Sequence, residues 1–279
     1  MKKIAILVSG QIRNSDLGYK GNNTTFSHDF KENILSKEIT DNYDVNVFFC
    51  VDEINKEALE NCCGNYLRDV IQLNKENIEE PLDLDELEKN YLSYYENRLN
   101  NHDKYPLCKA RSPRGYLVQK FYKLYCAYKL MLNYETQHNV KHDYILYLRP
   151  DCAFTRNFYD YIREFEERQL VYTAALEYAY FGKYDIMCHL CELVSCYGKY
   201  NFGEILHEEN IYTEMKHNRH AEHYYKWGEI AHCWSESPEV QAVEHIMNYC
   251  YKNNISSTSL TNIIDGGSVH LIIDRKIYD

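Results

Sequence analysis

The sequence predicts an α/β fold built on a single, mainly parallel central sheet flanked by helices. Lys3–Val8 (KIAILV) and Asp44–Val51 (DVNVFFCV) are nearly continuous apolar runs of strand length, a pattern typical of parallel strands covered on both faces. Leu117–Glu135 carries apolar residues at spacings of three and four and leads into a third apolar run, Tyr144–Leu148. An amphipathic helix between such strands predicts strands and helices that alternate around one sheet.

The remaining segments continue this alternation. Further helices are predicted at Phe26–Ile39, Asn55–Cys63, Leu84–Leu99, Asn157–Arg168, Tyr184–Tyr197 and from Ser237 to about Tyr251, and further strands at Asp69–Leu73, Val171–Leu176 and Val269–Ile273. Glu177–Gly182 is predicted to turn the chain into the helix that begins at Tyr184. Asn100–Gly115 is predicted as a long loop, either solvated or, through Arg111 and Arg114, a basic lid over a phosphate.

Composition and charge exclude several classes of function. The net charge is −11 without a Lys/Arg-dense stripe, which argues against binding to nucleic acid or to an anionic membrane surface. The apolar run Ile4–Val8 is too short for a signal peptide, and no stretch approaches the about 20 apolar residues of a membrane span. We therefore expect a soluble, cytoplasmic protein.

Cysteines and histidines form two clusters that must be weighed as metal sites. The 11 cysteines are odd in number and irregularly spaced, which fits a reducing compartment rather than a disulfide framework. Cys188 and Cys191 form a CxxC without a second CxxC partner, so a role as small core residues is favoured over zinc binding. His217, His220 and His223 are spaced by three, and a solvated helical face is favoured over a metal site.

Asp143–Phe154 (DYILYLRPDCAF) is the stretch that indicates a functional site. Its apolar run ends at Arg149 and Pro150, because proline lacks an N–H and holds the preceding residue extended. Arg149 and Asp151 then lie at the carboxyl end of a central strand, where open α/β sheets bind ligands. A carboxylate there can hold a divalent cation, which in turn holds a diphosphate. The alternative is a surface ion pair of little energetic value.

Two other predicted strands also end in polar residues. The first runs into Ser9-Gly10-Gln11-Ile12-Arg13. Gly10 permits a close backbone approach to a ligand, Gln11 can bind an amide or carbonyl, and Arg13 can bind a phosphate. Asp52 follows the second strand. The chain has neither GxGxxG nor GxxxxGK, which excludes the usual dinucleotide and P-loop sites.

The order of these motifs resembles the GT-A-fold nucleotide-sugar glycosyltransferases of bacterial polysaccharide loci and large DNA viruses. Such sequences open with a strand followed by SGQxR, continue with a strand of the form DVF, and later contain a strand that ends in R-x-D-x-x-F. The matching segments here are Ser9–Arg13, Asp44–Phe48 and Arg149–Phe154, followed by Glu177 five residues before Gly182, and by Pro238-Glu239. The similarity covers most of the chain, although each motif is short.

The resemblance implies a GT-A-like Rossmann-type fold in one domain, residues 1–279, with a nucleotide-binding half of about 1–155 and an acceptor-side half of about 156–279. The nucleotide-sugar site would be lined by Ser9, Gly10, Gln11, Arg13, Asp52, Arg149 and Asp151. Asp151 would also bind Mn²⁺ or Mg²⁺ as the last acid of a DxD motif, and His270 is a further candidate ligand, with a core or edge role as its alternative. Because Arg149 replaces the first acid of that motif, weaker metal dependence, or none, remains open.

The implied activity is transfer of a sugar from a nucleotide diphosphate sugar, with a UDP-sugar favoured, to an oligosaccharide or glycoprotein acceptor. A metal or guanidinium stabilises the leaving diphosphate, and an inverting reaction also needs a carboxylate base. Glu177, Glu239 and Asp265 are the candidates, each with a helix-cap or surface role as its alternative. The rival function is a catalytically degenerate glycan- or protein-binding module, favoured by the missing first acid. A sulfotransferase-like enzyme is disfavoured because no phosphate cradle with a lysine is present.

Overall fold

The computed structural model describes residues 1–10, 26–51, 56–73, 86–87, 89–90, 116–154, 156–175, 178–196, 242, 245–246, 249–250, 252–256, 260 and 269–271. The chain divides into two compact units. The first consists of Met1–Glu79, Lys123–Met187 and Asn262–Asp279, and the second of Glu80–Tyr122 and Cys188–Thr261. The predicted single domain, with halves that meet near residue 155, stays a prediction.

The central sheet of the first unit contains six strands in the order β3-β2-β1-β4-β7-β6. These strands are β1 (Lys2–Gly10), β2 (Tyr43–Val51), β3 (Leu67–Gln72), β4 (Tyr144–Leu148), β6 (Tyr172–Ala175) and β7 (Ala179–Lys183). The four strands β3, β2, β1 and β4 are parallel, whereas β7 is antiparallel to both β4 and β6. The predicted mainly parallel sheet is thus mixed.

The prediction of a single sheet is wrong, because the structure contains a second sheet of two strands. It pairs β5 (Cys152–Phe154) antiparallel with β8 (Val269–Leu271), and Ala153 lies opposite His270. The three residues of β5 directly follow the Arg149-Pro150-Asp151 turn. The end of β4 therefore connects the central sheet to the small one through three residues.

Helices flank the strands as the periodicity predicts. They are α1 (Phe26–Asp29), α2 (Lys37–Asn42), α3 (Lys56–Cys63), α4 (Tyr116–His138), α5 (Phe158–Glu167) and α6 (Tyr184–Cys191). A π-helical turn occupies Phe30–Ile34, and 3₁₀ turns occupy Gly64–Tyr66 and Leu193–Cys196. In the part of the chain that the structure describes, no helix is both long and apolar enough to cross a membrane.

The central sheet is covered on both faces, as its continuous apolar strands require. Every residue of β4 is buried. On one face, Ile6 of β1 belongs to a core cluster with Phe158 and Phe165 of α5. On the other face, Phe48 of β2 contacts the ring of Tyr134 in α4 at a centroid distance of 5.7 Å. Since successive side chains of a strand point to opposite faces, burial on both sides explains the absence of polar alternation.

Strand β7 replaces the predicted turn at Glu177–Gly182. Gly182 lies inside this strand and does not open a helix. A Cβ at Gly182 would lie 2.7 Å from the carbonyl oxygen of Val171, and the N–H of Lys183 donates to that same oxygen at 2.9 Å. Glycine is therefore required by a close approach of two backbones, which single-sequence periodicity does not reveal.

The predicted helix Phe26–Ile39 is broken into α1, the π-helical turn and α2. The break lies at Ser36, whose backbone is extended with φ −55° and ψ 157°. Its hydroxyl accepts a hydrogen bond from the N–H of Ile39 at 3.4 Å, so Ser36 is the N-cap of α2. The apolar residues keep a helical spacing across the break, which is why the sequence predicts one continuous helix. The helix is nevertheless interrupted, because Ser36 starts a new one as its N-cap.

A buried hydrogen-bond network fixes the edge of the sheet where β4 begins. Glu135 of α4 accepts from the backbone N–H of His142 at 3.0 Å, from His142 Nδ1 at 2.8 Å and from the hydroxyl of Tyr184 at 2.7 Å. Nε2 of His142 lies 3.2 Å from Nδ2 of Asn46, so Nδ1 carries the ring proton and Nε2 accepts. Burial lowers the pKa of His142 despite the nearby Glu135 carboxylate, and the ring is neutral at pH 7.

Replacing Glu135 by alanine should destabilise the fold strongly. The substitution leaves the backbone N–H of His142, its ring N–H and the Tyr184 hydroxyl without their acceptor, so we expect a loss of about 3 kcal/mol in the free energy of unfolding. Urea unfolding followed by circular dichroism measures this loss. Arg163→Ala is the control, because its ion pair with Glu167 at 3.1 Å is exposed and should contribute less than about 1 kcal/mol. Equal losses in the two variants would contradict a structural role for the network.

Candidate active site

The ends of β1 and β4 meet at one edge of the central sheet. The two strands are parallel with Val8 opposite Leu148, so Ser9 and Gly10 emerge beside Arg149 and its turn. The φ of Gly10 is +144°, and a Cβ there would lie 3.0 Å from Cδ of Pro150. Any larger residue would strain the backbone and push against the proline ring. Gly10 of the first motif and Pro150 of the second therefore lie in direct contact.

Arg149 and Asp151 form a bidentate ion pair at this edge. Nε of Arg149 donates to Oδ1 of Asp151 at 2.8 Å, and an Nη donates to Oδ2 at 2.6 Å. The side chain of Asp151 is 9% exposed and that of Arg149 is 20% exposed, so the alternative of a solvated surface pair does not fit. Planar, doubly hydrogen-bonded pairs of this type hold the guanidinium in one orientation.

Backbone and aromatic contacts hold the guanidinium further. The N–H of Arg149 donates to the carbonyl oxygen of Tyr178 at 3.0 Å, and its Cζ lies 5.4 Å from the centroid of the Tyr178 ring. Burial alone would lower the pKa of Arg149, but the hydrogen bonds and charge of Asp151 raise it above its usual value. Arg149 is therefore a permanent, oriented positive charge.

The described residues do not make a metal site around Asp151. Both of its carboxylate oxygens accept from Arg149, whereas a hard cation needs several oxygen ligands that are not bonded to a cationic donor. Within the described ranges, no group of three His, Cys, Asp or Glu side chains is arranged to hold a metal. His270 is described only through its backbone, opposite Ala153. The predicted Mn²⁺ or Mg²⁺ therefore requires Arg149 to release Asp151.

Ser9 is placed at this edge as predicted and is almost fully buried, at 1% exposure. Among the residues that the structure describes, its hydroxyl has no hydrogen-bond partner. Buried hydroxyls are normally hydrogen-bonded. Other buried hydroxyls, such as that of Tyr161, are unsatisfied within the described residues as well, so this feature of Ser9 does not by itself indicate a ligand.

Six predicted site residues lie outside the described part of the chain: Gln11, Arg13, Asp52, Glu177, Glu239 and Asp265. The candidate lid residues Arg111 and Arg114 and the histidines 217, 220 and 223 lie outside it as well. The structure thus brings together Ser9, Gly10, Arg149 and Asp151. The roles predicted for the other residues stay predictions.

Of the Cys188–Cys191 pair, Cys191 has the character of a core residue, whereas Cys188 is half-buried. Cys191 is buried, and burial raises the pKa of its thiol well above the usual value. Zinc binds the thiolate, which this environment disfavours. The two cysteines therefore give no support to a zinc site.

Asp29, a buried carboxylate near the turn, is not among the site residues that the sequence predicts. Its residue is 2% exposed, and its Oδ1 accepts from Nδ2 of Asn33 at 2.7 Å and from the N–H of Phe154 at 3.0 Å. Burial raises the pKa of Asp29 to about 6, against the opposing effect of these hydrogen bonds. The available signal was the spacing of four between Asp29 and Asn33, which brings an acid and an amide together on a helix.

The raised pKa of Asp29 predicts a specific pH dependence of stability. Because the folded protein binds this proton more tightly than the unfolded chain, ionisation of Asp29 destabilises the fold above about pH 6, and this cost is relieved as the pH falls from 6 towards 4. Relative to Asp29→Asn, the wild type should gain about 1 kcal/mol of unfolding free energy between pH 7 and pH 5. Urea unfolding of both proteins at the two pH values measures this difference. A parallel pH dependence in wild type and variant would rule out the raised pKa.

No protein family, curated protein or solved structure matches this chain. The relation to GT-A-fold glycosyltransferases therefore depends on the sequence motifs and stays a prediction.

Proposed function

We propose that this protein is a glycosyltransferase that transfers a sugar from a nucleotide diphosphate sugar, with UDP-sugars as the favoured donors, to an oligosaccharide or glycoprotein acceptor. The observation that carries the proposal is the contact between Gly10, at the end of β1, and Pro150, in the turn after β4. It brings Gly10 of the SGQxR motif against Pro150 of the RxD motif at the carboxyl ends of parallel strands, where open α/β sheets bind nucleotides.

The charges of the turn suit a diphosphate. Transfer of the sugar breaks its anomeric C–O bond and leaves a nucleoside diphosphate with increasing negative charge. An oriented guanidinium stabilises that charge in the transition state, and Arg149 is held in place by Asp151 and Tyr178. In this proposal the diphosphate binds the Arg149 guanidinium that Asp151 orients. If the reaction inverts the anomeric centre, the candidates for the base that takes the proton of the acceptor hydroxyl are Glu177, Glu239 and Asp265.

A binding module without transferase activity is the second candidate. The ion pair itself favours it, since Arg149 neutralises the carboxylate that a metal-dependent transferase would use. Such a module would bind a glycan or a protein and would not hydrolyse or transfer a nucleotide sugar.

A thermal-shift panel of nucleoside diphosphates and nucleotide sugars, with Mn²⁺ or with EDTA, separates these functions. A ligand at 100 times its Kd stabilises the native state by about 2.7 kcal/mol, which raises Tm by several degrees. We expect uridine nucleotides to give the largest rise. A rise that needs Mn²⁺ would mean that a cation displaces Arg149 from Asp151, and one that persists in EDTA would assign the diphosphate to Arg149. If no nucleotide raises Tm, the transferase proposal fails and the binding module without transferase activity remains as the proposed function.

Asp151→Asn should reduce transfer from the best donor by roughly a hundredfold in kcat/KM, because the amide no longer orients the guanidinium by charge or binds a cation. The turn lies at a strand end, so the variant should still fold. Glu167→Gln is the control, since it removes an exposed carboxylate that pairs with an arginine on α5 and should leave transfer unchanged. Full activity of Asp151→Asn would show that its assignment is wrong.

A further inference from the structure

Asp29 and Asn33 bind both backbone polar groups of one residue in the small sheet. Oδ1 of Asp29 accepts from the N–H of Phe154 at 3.0 Å, and Nδ2 of Asn33 donates to the carbonyl oxygen of Phe154 at 3.1 Å. The same Nδ2 donates to Oδ1 of Asp29 at 2.7 Å. The three residues therefore form a closed ring of hydrogen bonds, which we call the Phe154 clasp.

The clasp lies three residues beyond Asp151. Strand β5 begins immediately after Asp151, and the N–H of its first residue, Cys152, donates to the carbonyl oxygen of Arg149 at 3.3 Å. A displacement of β5 would pull directly on the turn, because only Cys152 and Ala153 separate Phe154 from Asp151. Because two residues span only a short length of chain, Phe154 cannot move far without also moving Asp151.

The helical side of the clasp is anchored in the core. Phe30 and Ile34, in the π-helical turn next to Asp29 and Asn33, are buried at 0% and 1% exposure. The ring of Phe154 packs against Phe158 at a centroid distance of 5.4 Å. π-Helical turns are rare and are frequent at functional sites. Both ends of the clasp are thus fixed, and the Arg149 turn is the chain segment that joins the clasped strand β5 to β4 of the central sheet.

Holding the peptide N–H of Phe154 with the carboxylate of Asp29 costs free energy, because a charged group must be desolvated. A buried amide would accept the same N–H without the desolvation of a charge. The charge brings a stronger hydrogen bond to the Phe154 N–H and so a tighter restraint on β5. Retention of stability-limiting groups near a binding site is a common compromise between stability and function.

We infer that Asp29 and Asn33 are positioning residues for the donor site: through the Phe154 clasp they hold the Arg149–Asp151 turn in the geometry that receives a diphosphate. This inference depends on the proposed function for the identity of the ligand. The restraint on the turn itself does not depend on it and can be measured without a ligand.

The test compares Asp29→Ala, Asn33→Ala and Asp29→Asn with Glu135→Ala. The control is matched, because Glu135 is also a buried carboxylate that accepts a backbone N–H, that of His142, but it does so before the start of β4 and not in the small sheet. Hydrogen–deuterium exchange of the Cys152–Phe154 amides reports the restraint. Titration with uridine diphosphate, corrected for the folded fraction, reports the donor site.

In Asp29→Ala we expect exchange of the Phe154 and Cys152 amides to accelerate by roughly tenfold or more and the Kd for uridine diphosphate to rise by about tenfold. Asn33→Ala, a milder change, should move both quantities in the same direction. Asp29→Asn keeps an acceptor and should restore both towards wild type. Glu135→Ala should accelerate exchange at His142 and leave Phe154 and the Kd unchanged.

Unchanged exchange at Phe154 in Asp29→Ala would overturn the clasp. An equal rise in Kd in Glu135→Ala would reduce Asp29 to a general stabilising residue and would also overturn the inference. If the wild type binds no nucleotide, the proposed function fails by itself, and the exchange at Cys152 alone decides whether the clasp restrains the turn.

Discussion

Parallel pairing of β1 with β4 is the constraint on which the rest of the candidate site depends. With Val8 opposite Leu148, the segments that follow β1 and β4 leave the sheet side by side, and Gly10 lies against Pro150. The proline ends β4, and the next polar side chain, Asp151, turns back onto Arg149. The ion pair, the start of β5 and the unsatisfied Ser9 hydroxyl all follow from where these two strands stop.

Much of the fold was readable from the sequence, because buried strands and amphipathic helices have strong local patterns. The predicted Tyr144–Leu148 strand is confirmed with identical bounds, and the long helix differs only by one residue at its start and three at its end. The antiparallel β7 was not readable, since its identity depends on the approach of Gly182 to Val171, which lies eleven residues earlier in the chain. Register between distant segments carries no local signal.

The candidate site was readable only in part, for a related reason. Arg149 and Asp151 were found because proline marks the strand end, but their mutual pairing and low exposure depend on Tyr178 and on neighbours that the sequence does not identify. Asp29 was missed because its spacing of four from Asn33 is a weak local signal, which does not distinguish a buried acid from an exposed one in a short helix. A buried carboxylate that accepts a backbone N–H occurs both before β4 and after it. Before β4, Glu135 also accepts from the His142 ring and from Tyr184, and after it, Asp29 also accepts from Asn33.

The contact of Gly10 with Pro150 has an evolutionary consequence. A mutation at either position alters the space available to the other, so the two positions cannot drift independently. Descendants of this chain that acquire a side chain at position 10 must change the backbone conformation there and must also replace the proline at position 150 or open the gap between the strand ends. Such paired substitutions would distinguish true relatives from chains in which an SGQxR and an RxD sequence occur by chance.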